Sequence, residues 1–152
     1  MAKAKLISYY KFGESWNWIN ISMARAIQIW TRSKYFHTEL IIGNKRISAH
    51  TKNGVFVTGN LNTNSWSINA DIKEIEIDEN KVQEAIEFAR TQINKGYDWK
   101  GIFFSQVIPA DKHDKEKWFC NEIAGEVLKI AGAKGIDKDT NEYNPGSFQE
   151  IF

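Results

Sequence analysis

The chain has 152 residues, of which 42% are hydrophobic, and six tryptophans and nine phenylalanines are typical of a globular protein with a proper core. Lys and Arg number 20 and Asp and Glu number 19, so the chain lacks the basic excess with which proteins bind the phosphate backbone of nucleic acids. We therefore expect one domain over residues 1–152 and no nucleic-acid partner.

The N-terminal residues 1–11 carry charge but no apolar run of signal-peptide length, and no later run approaches the length of a membrane span. We expect a soluble chain without a signal peptide or a membrane span. A single cysteine rules out an internal disulfide, which agrees with a reducing compartment.

The first predicted element is a strand over residues 5–12, which are rich in aromatic and β-branched side chains and are followed by Gly13. A helix is predicted from Asn20, with Ser22 as an alternative cap, to about residue 34. Four apolar residues at helical spacing line one side of it: Met23, Ala24, Ile27 and Trp30.

The clearest strand in the sequence runs from Tyr35 to Ile42. Gly43-Asn44 follows it, and residues 45–50 have the pattern of a hairpin partner. If the turn consists of these two residues, Ile42 faces Lys45 and each further pair follows in register. A four-residue turn would shift the pairing and keep the faces.

Four polar residues of this hairpin fall on one face of the predicted sheet, because side chains alternate along each strand. With the two-residue turn, His37 faces His50 and Glu39 faces Ser48, with directly opposed Cβ atoms about 5 Å apart. With the four-residue turn, Glu39 faces His50 instead. Either register predicts a polar cluster around His37.

Further strands are predicted over residues 54–58 and 72–77, separated by a loop at 60–69 that is rich in Asn, Ser and Thr. A helix opens at 78–80 and ends near 95–96. Its apolar positions are Val82, Ala85, Ile86, Ala89 and Ile93. Helices and antiparallel strands together predict an α+β fold.

The only cysteine, Cys120, lies at the predicted start of a helix within residues 118–128. The apolar positions of this helix are Phe119, Ile123, Ala124, Val127, Leu128 and Ala131. The other face carries Asn121, Glu122, Glu126 and Lys129. Unpaired N–H groups and the helix dipole favour a thiolate at such a position. The alternative is a small buried hydrophobic residue without chemistry.

Three stretches together resemble the circularly permuted branch of the NlpC-type papain-like fold: Phe-His-Thr-Glu-Leu at 36–40, Tyr-Asp-Trp-Lys-Gly at 97–101 and Trp-Phe-Cys-Asn-Glu at 118–122. That branch includes bacterial papain-like amidases, phage-encoded domains and the lecithin retinol acyltransferase group. The resemblance covers about residues 24–128. It implies an antiparallel sheet packed against a helix that carries the cysteine.

The resemblance also implies roles for site residues. Cys120 corresponds to the nucleophile, His37 to its base and His50 to the polar group that orients the imidazole. Three further residues are candidates for orienting the imidazole or binding the substrate: Glu39, Ser48 and Glu122. Asn121 departs from the pattern, because phage relatives tend to have serine after the cysteine.

The implied function is that of a cysteine hydrolase, a peptidase or amidase that cleaves a peptide or peptidoglycan amide through an acyl-enzyme, with an acyl ester as a further substrate class. It needs no cofactor, and a cytoplasmic or virion-associated location is expected. The alternative is a structural or binding protein, such as a virion component, that keeps the fold without activity. A zinc site formed by Cys120, His37 and His50 is a third interpretation. The oligomeric state is left open.

Overall fold

The structure is a computed structural model. It describes residues 1–11, 22, 25–26, 28–29, 33–50, 54–61, 70–93, 95–97, 117–118 and 120–136. Within the helix predicted from Asn20 to about residue 34, the described residues from 22 to 29 are helical and Ser33 and Lys34 are not. The rest of that helix lies outside the described residues. Most of the predicted loop at 60–69 lies outside them as well.

Five antiparallel strands form the main sheet, in the spatial order β4-β3-β2-β1-β5. Their bounds are Ala2–Tyr9 (β1), His37–Ile42 (β2), Lys45–His50 (β3), Gly54–Thr58 (β4) and Ala70–Ile77 (β5). With the helices described below, this sheet confirms the predicted α+β class. The first strand begins and ends earlier than the predicted range of residues 5–12. It pairs with β5 along its whole length, from Ala2 opposite Ile77 to Tyr9 opposite Ala70.

The turn between β2 and β3 has two residues, as predicted. Leu40 pairs with Ile47 and Ile42 with Lys45, which leaves only Gly43 and Asn44 between the strands. Gly43 has a φ of 57°, a conformation that L side chains rarely adopt. A Cβ there would also lie 3.4 Å from Cγ1 of Val82, so the turn packs closely on the helix that follows β5.

Helices α1 (Val82–Thr91) and α2 (Cys120–Ile130) pack against one face of the sheet. The strands contribute Ala4, Leu6, Leu40, Ile42, Ile47, Ala49, Val55, Ile75 and Ile77 to the core, and the helices contribute Ala85, Ile86, Ala89, Ile123, Ala124, Val127 and Leu128. The opposite face carries a separate buried pair, Ile7 and Ile41. Alternation along the strands produces these two faces.

Helix α1 begins close to the predicted residue and ends earlier than predicted. A single 3₁₀ turn at Glu79–Lys81 precedes it, and Asp78 Oδ1 accepts a hydrogen bond from the N–H of Asn80 at 2.9 Å. The helix ends at Thr91, so Ile93 does not belong to its apolar face and is 40% exposed. The prediction that the helix continues to residue 95 was therefore wrong.

Glu122 was predicted on the polar face of the cysteine helix, and the structure corrects this. Glu122 is 1% exposed, and its side chain is among the most deeply buried side chains of the described residues. Helix α2 contacts β2 and β3 on one side and α1 on another, so it is enclosed over more than its apolar stripe. A periodicity argument detects only the stripe.

The direction of α2 follows from contacts at its two ends. Past its C-terminus, the carbonyl of Ala131 accepts a hydrogen bond from the N–H of Asp78, just after β5. Before its N-terminus, β7 (Lys117–Trp118) pairs in parallel with β6 (Gly96–Tyr97), and β6 contacts β3 and β4. The first turn of α2 therefore points towards the end of the sheet where β2 begins and β3 ends. None of the helices in the described ranges combines the length and apolarity needed to cross a membrane.

Candidate active site around His37

His37 and Glu39 lie two residues apart on the same face of β2, as alternation requires. Nε2 of His37 is 3.4 Å from Oε1 of Glu39. The His37 side chain is 17% exposed and that of Glu39 only 6%. A glutamate is long enough to reach its neighbour along the strand, so a direct cross-strand position is not needed for this contact. The carboxylate is therefore placed to stabilise the imidazole whenever the ring is protonated.

Ser48 determines which nitrogen of the imidazole carries a proton. Its side chain is fully buried, and its hydroxyl donates to the carbonyl of Thr38 at 2.7 Å. Its oxygen lies 3.3 Å from Nε2 of His37. A serine hydroxyl has one proton, so towards His37 it can only accept. Nε2 is therefore the N–H of the neutral imidazole, and Nδ1 carries the basic lone pair.

Tyr9 reaches this cluster from the neighbouring strand, where it pairs with His37. Its hydroxyl donates to Oε2 of Glu39 at 3.1 Å, and its ring centroid is 5.6 Å from that of the imidazole. Burial, and then the charge and the hydrogen bond of Glu39, raise the pKa of Tyr9. The phenol therefore remains a neutral donor. The sequence analysis missed this residue, because nothing local pairs the first strand with β2.

Arg46 completes what we call the His37 cluster: His37, Glu39, Ser48, Tyr9 and Arg46. Nε of Arg46 lies 3.8 Å from Oε2 of Glu39, and its guanidinium lies 5.5 Å from the centroid of the Phe56 ring. Arg46 stands two residues before Ser48 on the same face of β3, so alternation already indicated its position. The sequence analysis did not use that signal.

Cys120 is the first residue of α2, in agreement with its predicted position at a helix start. Its side chain lies outside the described residues. The direction of α2 brings its first turn to the same end of the sheet as His37, the first residue of β2. The body of α2 covers the sheet face opposite to that of the His37 cluster, so a contact between sulfur and imidazole has to pass the end of β2.

Two further predicted site residues, His50 and Glu122, are not among the described members of the cluster. His50 is the last residue of β3, where it pairs with Gly54, and its side chain lies outside the described residues. Its orienting role stays a prediction. Glu122 is buried in the first turn of α2. Glu39 and Ser48 both lie beside Nε2 of the imidazole.

The His37 cluster has the parts of a general base. One ring nitrogen is held by a carboxylate and a hydroxyl, which fixes the tautomer and stabilises the protonated ring. Ser48 itself is unsuited as a nucleophile, because its hydroxyl is fully buried and engaged with Thr38. No family model matches this chain, and no curated protein matches it. The chemistry of the site is therefore argued from its geometry alone.

Proposed function

We propose that the chain is a cysteine hydrolase with a permuted NlpC-type papain-like fold, which cleaves a peptide or peptidoglycan amide in the cytoplasm or in association with a virion. Cys120 is the nucleophile and His37 is its base. The observation that supports this proposal most directly is the placement of Ser48 and Glu39 beside Nε2 of His37. With Ser48 and Glu39 at Nε2, the neutral imidazole keeps Nδ1 unprotonated, and an unprotonated ring nitrogen is what proton abstraction from a thiol needs.

Each step of the proposed reaction uses one of these groups. Nδ1 of His37 takes the proton of the Cys120 thiol, and the sulfur attacks the amide carbonyl. The backbone N–H of Cys120, at the start of a helix, stabilises the oxyanion. The imidazolium then protonates the leaving amine as the C–N bond breaks. Water, activated by the same nitrogen, hydrolyses the thioester and restores the thiol.

Glu39 has an electrostatic part in this scheme. Its carboxylate is almost fully buried beside Nε2, so it stabilises the imidazolium that forms when the thiol gives up its proton. Charge separation between sulfur and ring is thereby favoured near neutral pH. The proposal also demands a specific geometry, because His37 must reach the sulfur around the end of β2.

The decisive experiment is acylation with p-nitrophenyl acetate. We expect a burst of p-nitrophenol and an acetyl adduct on Cys120, which peptide mapping by mass spectrometry locates. Cys120→Ala and His37→Ala should abolish the burst. His113→Ala, which replaces the one histidine without a predicted role, is the matched control that should retain it. Purified peptidoglycan and a peptide library then separate the two amide substrate classes.

An absent burst with a folded wild-type chain would contradict the enzyme proposal and favour the structural or binding alternative. A burst that persists in Cys120→Ala would place the nucleophile elsewhere. Circular dichroism of each variant distinguishes lost chemistry from lost folding.

A further inference from the structure

We propose that Tyr9 is a positioning residue whose hydroxyl holds the carboxylate of Glu39 against His37. The inference deepens the proposed function, because it takes His37 as the base. Its central measurement concerns the imidazole alone and does not require that Cys120 be a nucleophile.

The contacts of Glu39 carry the argument. Oε2 lies 3.1 Å from the Tyr9 hydroxyl and 3.8 Å from Nε of Arg46, so the tyrosine contact is a hydrogen bond and the arginine contact a longer ion pair. The other oxygen, Oε1, faces Nε2 of His37. The hydrogen bond at Oε2 therefore restrains the plane in which Oε1 meets the imidazole.

The backbone places Tyr9 beside the imidazole ring of His37. Tyr9 and His37 are cross-strand partners, and the carbonyl of Tyr9 accepts a hydrogen bond from the N–H of Phe36 at 2.9 Å. The tyrosine ring lies beside the imidazole at an interplanar angle of 39°. Tyr9 thus restricts the orientation of the imidazole with its ring and that of the carboxylate with its hydroxyl.

Removing the hydroxyl has a consequence that differs from removing a charge. Tyr9→Phe keeps the ring and every charge, so it acts only through position. Without the hydrogen bond, the carboxylate is drawn towards the guanidinium of Arg46, and Oε1 leaves His37. Arg46→Gln has the opposite effect, because it releases the carboxylate to His37 and removes a positive charge near the imidazolium.

The test follows the His37 imidazole by NMR titration of the full-length chain, with His37→Ala for assignment. We expect Glu39→Gln to lower the titration midpoint by about one pH unit and Tyr9→Phe to lower it by about half as much. Arg46→Gln should raise it. Tyr35→Phe is the matched control, since it removes another tyrosine-to-carboxylate hydrogen bond, that to Asp71, and should leave the midpoint unchanged.

An unchanged or raised midpoint in Tyr9→Phe would overturn the inference. A raised midpoint would mean that the hydroxyl only weakens the negative charge of Glu39 and does not hold the carboxylate against His37. If Tyr9→Phe does not fold, the inference is tested by the Arg46→Gln variant. A lowered His37 midpoint in that variant would contradict the proposed geometry. The same titration in a Cys120→Ala background tests the role of Tyr9 independently of whether the chain is a hydrolase. In the wild-type background, the pH profile of thiol alkylation should move with the midpoint.

Discussion

The hydroxyl oxygen of Ser48 lies 3.3 Å from Nε2 of His37 while its proton is donated to the carbonyl of Thr38. This arrangement leaves the imidazole one tautomer, with Nδ1 as its basic atom. A buried serine that is unsuited as a nucleophile therefore leaves Nδ1 as the basic atom of the neutral imidazole.

The first prediction concerns the reactivity of Cys120. With its thiolate stabilised by a helix start and an imidazolium, Cys120 should react with iodoacetamide at pH 6 about ten times faster than a free thiol. His37→Ala should lose this advantage, whereas His113→Ala should keep it. The rate is measured by mass spectrometry as a function of pH.

An ordinary alkaline titration of the thiol, insensitive to His37, would remove the basis of the hydrolase proposal. Cys120→Ser and Cys120→Ala should keep the wild-type circular dichroism spectrum. If either variant loses about 2 kcal/mol or more, on the scale of a core truncation, Cys120 is a packing residue.

The second prediction concerns Ser48. Ser48→Ala leaves the Thr38 carbonyl without this donor and Nε2 of His37 without this acceptor, so we expect a loss of about 1–3 kcal/mol in unfolding free energy. Turnover should fall by about tenfold or more, which corresponds to about 1.4 kcal/mol in the barrier. Denaturant titration and acylation kinetics measure the two effects.

Thr91→Ala is the control for this prediction, because the Thr91 hydroxyl also donates to a backbone carbonyl, that of Phe88, at an exposed helix end. We expect its stability to change by no more than about 0.5 kcal/mol. Equal costs for the two variants would show that the burial of Ser48 has no energetic consequence.

The third prediction ranks the residues that orient His37. Since Glu39 contacts the imidazole directly, Glu39→Gln should slow turnover more than His50→Ala. The hairpin register alone favours a larger loss of turnover in His50→Ala than in Glu39→Gln. In that case His50→Asn should recover part of the lost turnover. Acylation and deacylation rates of the three variants decide between the orders, and a larger loss in His50→Ala would give the orienting role to His50.

The fourth prediction is a loss of stability at alkaline pH. Burial and Glu39 raise the pKa of Tyr9 in the folded chain above the value of about 10 that it has when unfolded. Above that pH the unfolded chain has released a proton that the folded chain retains, so the free energy of unfolding falls as pH rises. Below it, Tyr9 contributes no pH dependence.

Tyr9→Phe should therefore lose less stability than the wild type between pH 9 and pH 11, as measured by urea denaturation. Parallel stability curves for the two proteins across this interval would show that Tyr9 ionises normally in the folded state.

The fifth prediction tests the packing of α2. Ile123→Ala removes a side chain that is fully buried between the helix and the sheet, so we expect a loss of about 2–5 kcal/mol. Ile93→Ala is the matched control, because Ile93 is 40% exposed beyond the end of α1, and its cost should stay within about 0.5 kcal/mol. Similar costs would mean that α2 is not held by this core.

The features that the sequence predicted correctly depend on neighbouring residues. Turn chemistry at Gly43-Asn44 predicted the two-residue turn that the structure has, with a four-residue turn as the alternative, and alternation put Glu39 and Ser48 on the face of His37. Helical periodicity placed Cys120 at the start of α2. Each of these signals is contained within a few residues, so no knowledge of the fold was needed to read it.

Tertiary structure decided what surrounds the imidazole. Tyr9 and Glu39 are 30 positions apart, and only the insertion of β1 between β2 and β5 brings the phenol to the carboxylate. Glu122 is likewise buried, although helical periodicity places it on the polar face of α2. Strand order and helix packing are set by hydrophobic burial summed over the whole chain, so no local pattern records them.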